Sequence, residues 1–171
     1  MKSLFLAFGF LAAFTLTTPN AAAAEKQKIA YPSADDASFI ITVPKNWELT
    51  PAKEDEDYFH VEGPTGAIFS FRAIPGGKDS LDEAIEAMVK DIHERFKDME
   101  LGDAQDWKPN GLTGFYAIGT GKDKEGVPIR IGVAWCALND GKIAEAWFIT
   151  DLSDEKGLDQ ANEIINSIES P

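Results

Sequence analysis

His60 and Glu62 stand two residues apart, with Asp57 shortly before them. On a β-strand that spacing puts an imidazole and a carboxylate on one face. Such a pair holds zinc or manganese where a third protein ligand joins it. The chain has only two histidines, and the second opens the run His93-Glu94-Arg95-Phe96-Lys97. That run starts like H-E-x-x-H, but Lys97 stands where the second histidine belongs, and an ammonium offers no lone pair to a cation. Glu54, Asp55, Glu56 and Asp57 are adjacent rather than alternating. They lack the spacing that aims several oxygens at one calcium ion. The expectation is a solvated acidic loop, with no metal and no cofactor.

Nucleophilic chemistry finds no better footing. There is no G-x-S-x-G elbow. Cys136 lies in an apolar run beside Trp135 and Ala137, where a thiol behaves as a small hydrophobe. Gly76-Gly77-Lys78-Asp79 and Gly119-Thr120-Gly121-Lys122-Asp123 look like phosphate loops. Both miss the P-loop spacing, and both put Asp where a magnesium-binding hydroxyl is needed, so they read as turns. Trp135 and Trp147 fall in mid-strand and read as core. Trp47 and Trp107 fall at strand–loop junctions, where an exposed ring would mark a contact. With Glu54, Asp55, Glu56 and Asp57 close after it, Trp47 gives a candidate docking edge for a basic partner.

The elements that would carry these residues are legible from period and turns. Phe39 to Pro44 alternates as a strand, and Asp57 to Glu62 and Ala67 to Ile74 follow as a pair joined through Gly63-Pro64-Thr65-Gly66. Ser80 and Glu83 have capping-box spacing ahead of Leu81, Ile85, Met88, Val89, Ile92, Phe96 and Met99, one apolar stripe that predicts a helix ending near Gly102. A meander follows at Leu112 to Gly121, Val127 to Leu138 and Lys142 to Thr150, with a tight turn at Asn139-Asp140-Gly141. In its middle strand Val127, Ile129, Ile131, Val133 and Trp135 share one face, and Gly132, Ala134 and Cys136 share the other. Neither face is polar, so both should be covered. The last helix, with Leu158, Ala161, Ile165 and Ile168 in step and Ser153 as its N-cap, is the second cover. The expected fold is α+β, a three-layer α/β/α sandwich of an antiparallel sheet with helices on both faces.

The N-terminus reads as a secretory leader over residues 1–24. Lys2 precedes the apolar run Leu4 to Leu16, and Ala21 to Ala24 offer small residues for cleavage near Ala24. Residues 25–171 suit a single domain. The lone cysteine excludes an intrachain disulfide. With 29 acidic and 16 basic residues, the net charge of −13 opposes nucleic acid and anionic membrane surfaces. No second apolar stretch is long enough to span a membrane. The expected location is periplasmic or secreted.

The phrase FIITVPKNW, Phe39 to Trp47, together with the order strand pair, long helix, three-stranded meander and terminal helix ending Ile164-Ile165-Asn166-Ser167-Ile168, resembles the PsbP-like superfamily and within it the exported bacterial DcrB-like proteins. The resemblance covers nearly all of residues 25–171. It implies a PsbP-like domain that is not an enzyme and docks on a larger assembly. The functional expectation is therefore a soluble accessory module that binds an envelope protein. A small-ligand or metal-ion carrier, or a hydrolase, is the alternative. A docking module should present a shallow face with exposed apolar groups, and a carrier or enzyme a deep pocket with convergent polar groups.

Overall fold

The computed structural model describes residues 25–51 and 58–171. The expected leader and the acids Glu54 to Asp57 lie outside these residues. β1 (Lys26–Tyr31) and β2 (Phe39–Pro44) pair antiparallel as a separate hairpin with Ile29 opposite Ile41. The main sheet holds β3 (Glu48–Thr50), β4 (Phe59–Glu62), β5 (Ile68–Ile74), β6 (Lys97–Leu101), β7 (Gln105–Trp107), β8 (Gly114–Lys122), β9 (Pro128–Ala137) and β10 (Ile143–Asp151). Its order is β3-β4-β5-β10-β9-β8-β6, with β7 also on β8, and every pairing is antiparallel. The helices are α1 (Lys78–Arg95) and α2 (Glu155–Asn166). The described residues are α+β, mostly antiparallel sheet with two α-helices.

The alternation in β9 divides the core. Ile129, Ile131, Val133 and Trp135 join Ala84, Met88 and Ile92 of α1 in one buried cluster. Ala134 and Cys136 join Ala144, Ala146 and Phe148 of β10, the β1–β2 hairpin, and Ala161, Ile164 and Ile165 of α2 in another. The small side chains admit close approach on that second side. At Gly132 an added Cβ would lie 2.1 Å from the Phe148 ring, so only glycine fits beneath it. α2 is tied to the hairpin by Lys26–Glu163 at 2.9 Å, by Thr42 N donating to Ser167 Oγ at 2.7 Å, and by a backbone bridge between Ile40 and Glu169.

Several sequence expectations need correction. α1 starts at Lys78 after Gly77, with no side-chain cap, so Ser80 and Glu83 lie inside the helix and form no capping box. The helix ends at Arg95 rather than near Gly102, although Phe96 and Met99 keep its period. Phe96 turns extended, Asp98 takes φ 52°, and Lys97–Leu101 becomes β6. Pairing with the edge of β8 satisfies a row of backbone groups that continued helix would leave open, and Met99 still reaches the α1-side core. Asp154, not Ser153, caps α2, accepting from Gly157 N at 2.9 Å. Gly119 to Lys122 belong to strand β8, as the strand expected from Leu112 to Gly121 had it for all but Lys122, and not to a turn; Val127 precedes β9 and is exposed. The turn at Gly141 forms as expected, with φ 82°.

Candidate functional site

One row of polar side chains crosses the main sheet. Arg72, Glu145, Trp135 and Phe115 are successive cross-strand neighbours on β5, β10, β9 and β8. Glu145 is fully buried, and its carboxylate accepts from Arg72 Nε at 2.7 Å, from Trp135 Nε1 at 2.8 Å and from the Tyr58 hydroxyl. The Arg72 guanidinium lies 4.4 Å over the Tyr58 ring. Burial, and then the adjacent Glu145 charge, push the Tyr58 phenol well above its usual range. That row is a satisfied polar network rather than a reactive one, because each Glu145 oxygen already has a donor.

The other sequence candidates are dispersed. His60 Nδ1 lies 2.7 Å from Ser70 Oγ, a pair the sequence did not single out, and Ser70 is fully buried. Among the described residues no group of three or more His, Cys, Asp or Glu is placed to hold a metal ion. Cys136 is buried, and burial pushes its thiol up to about 12. Trp135 is core as expected, and Trp147 is half-buried. Trp47 is 3% exposed, with its ring against Gly63. It is therefore a core side chain and not the exposed anchor of an edge.

Trp107 is different. With Tyr116, Ile118, Gly132, Phe148, Asn162 and Asn166 it lines a groove of about 420 Å³ between β8, β9 and α2, open along one side. Its walls are held firmly. Trp107 Nε1 donates to Asn166 Oδ1 at 2.9 Å, and Asn166 Nδ2 donates to Asn162 O at 2.8 Å. The Tyr116 hydroxyl donates to Gln105 Oε1 at 2.8 Å. Asn110 Nδ2 donates to Asn166 O at 3.3 Å and to Ile168 O at 3.0 Å, latching the preceding loop to the end of α2. Ile118, 38% exposed, forms an apolar lip. The strand–loop position of Trp107 was the one sequence signal for this groove. Gly132, Asn162 and Asn166 carried none.

An antiparallel sheet with two helices and this connectivity defines a PsbP/Mog1-like fold. Among solved structures, cyanobacterial PsbP (CyanoP) from Synechocystis matches with TM-score 0.61 at 13% identity, over 91% of this chain and 98% of that one. The Saccharomyces cerevisiae Ran-binding protein Mog1p matches with TM-score 0.56 at 14% identity, over 86% and 96%. A Bacteroides thetaiotaomicron crystal structure matches with TM-score 0.57 at 18% identity, over 84% of this chain, which spans about half (48%) of that one. At these identities the likeness is one of fold. No family model and no curated protein matches the chain.

Proposed function

We propose that the protein is an exported, non-catalytic binding domain that docks on another protein of the cell envelope through the groove between β8, β9 and α2. The observation that carries this reading is the groove: aromatic walls, a rigid frame and an apolar lip at Ile118, open along one side. An inserted side chain suits that shape better than an enclosed substrate does. Among the described residues, Glu145, Ser70 and Cys136 lie outside the groove's lining and are buried, which supports binding over catalysis. The leader-like residues 1–24 support export, and envelope protein beginning at Ala24 or Glu25 on N-terminal sequencing is the expected result. Within the fold, we read the sheet as the middle of an α/β/α sandwich and the chain as DcrB-like. The division of the core between α1 on one side and α2 on the other supports the layering. A small-ligand carrier is the second reading, favoured by the groove's volume, which falls within the ~300–1,000 Å³ of ligand sites.

A photo-crosslinking residue at Asn162 in the tagged protein tests the docking reading in the envelope. A discrete protein adduct is expected, and Ile118→Asp should abolish it. Adducts obtained from exposed Lys90 on α1, with none from Asn162, would place the partner elsewhere.

A further inference from the structure

Next along β9 from Gly132 of the groove stands a charged group that no hydrogen bond or ion pair among the described residues engages. Arg130 shares a face of β9 with Gly132 and lies two residues away, a step of ~6.5 Å along the strand. Its cross-strand neighbours are Thr120 on β8 and Thr150 on β10. The side chain is half-buried, and its Nη1 is out of solvent with no hydrogen-bond partner among the described residues. Among the described residues no carboxylate pairs with it. Asp154, which accepts from the Oγ1 of that Thr150, is also engaged with Gly157 N. A half-buried guanidinium without a carboxylate among the described residues is a partly desolvated cation open to an anion. Its fork of donors matches a carboxylate. On the opposite rim the Asn162 side-chain amide makes no hydrogen bond among the described residues, whereas that of Asn166 is committed to Trp107 and to Asn162 O.

We propose that the groove takes an extended peptide segment of the partner carrying an apolar side chain and, two residues on, an Asp or Glu. The apolar side chain enters between Trp107, Tyr116 and Phe148. The carboxylate meets Arg130, and the peptide backbone bonds the Asn162 amide. The spacing follows from strand geometry: an extended peptide repeats a face every two residues, the same step that separates Gly132 from Arg130. This rests on the docking reading above and names its recognition chemistry. The net charge of −13 sets long-range steering toward a partner that is basic overall, while Arg130, shielded by burial, reads one carboxylate at contact.

The test uses acetyl-Leu-Ala-Asp-Ala-amide against the same peptide with Asn or Lys in place of Asp. Each is titrated into isotope-labelled protein while the Trp107 indole N–H resonance is followed. The Asp peptide should bind about tenfold or more tighter than the Asn peptide, the worth of one charge-assisted hydrogen bond. Arg130→Gln should erase the difference, and Arg130→Lys, which keeps the charge but loses the fork, should reduce it. The lysine variant decides the matter if the glutamine variant does not fold. Equal binding of the Asp and Asn peptides, or a preference that survives both substitutions, overturns the inference. If no peptide moves the Trp107 resonance while the Asn162 adduct persists, the peptide chemistry is wrong and the docking reading stands. If neither is seen, both fall.

Discussion

Arg72 on β5 and Glu145 on β10 are cross-strand neighbours, and Arg72 Nε donates to the fully buried Glu145 carboxylate at 2.7 Å. The guanidinium is itself only 20% exposed, so both charges have been drawn largely out of water. The attraction between them, with the bonds from Trp135 and Tyr58, offsets that desolvation.

Removing one charge should cost more than removing both. Arg72→Met leaves the Glu145 carboxylate buried without its cation and is expected to lower stability by ~3–5 kcal/mol. Adding Glu145→Leu to the same chain should recover much of the loss. Urea denaturation of the wild type, the single variant and the double variant reads both. A double variant no more stable than Arg72→Met would mean that the network serves packing rather than charge compensation.

Ala134 sits among small side chains on the α2 side of β9 and is 1% exposed. If α2 closes that side as a layer, Ala134→Leu has no room to expand into and should cost ~1–3 kcal/mol through overpacking. An unchanged melting temperature would mean that this side yields, and that the sheet is not held between two helical layers.

The thiol of Cys136 is buried and shifted up to about 12. Its thiolate population near neutral pH is therefore very small. A thiol reagent should label it only on unfolding, at a rate that rises with denaturant. Fast labelling of the native protein would restore a nucleophilic or redox role.

The β9 alternation was readable because each side chain's size and polarity declare its face, and the structure keeps those faces apart in two clusters. The end of α1 was not. Phe96 and Met99 continue a helical period, and only the non-local pairing of Lys97–Leu101 with β8 turns them into strand. β1 was hidden because Lys26 and Lys28 face solvent, leaving Ile29 and Tyr31 as a short apolar remnant. The groove was least legible of all. Trp107, Gly132 and Asn162 lie on three elements distant in sequence, and no local pattern links them. Trp47 misled for a related reason: its place beside a turn says nothing of the Gly63 backbone that packs on its ring.

Asp154 links the start of α2 to pH. Its side chain accepts from Gly157 N at 2.9 Å and from Thr150 Oγ1 at 3.3 Å. The bond from the Thr65 hydroxyl, and then that from Gly157 N–H, hold its carboxyl below the usual carboxylate range. A group whose pKa is lower folded than unfolded stabilises the protein above its unfolded value, ~3.9, and that share is lost as pH falls through the folded value. The wild type should therefore lose stability more steeply in acid than Asp154→Asn, which keeps a capping oxygen but does not titrate. At neutral pH, Asp154→Ala should cost ~1 kcal/mol through loss of the cap. Melting temperatures from pH 7 down to acid, for all three proteins, give the comparison. If wild type and Asp154→Asn decline in parallel through the acid range, Asp154 contributes no pH-dependent stability, and the acid limb belongs to the other carboxylates held low, Asp98, Asp140 and Asp151.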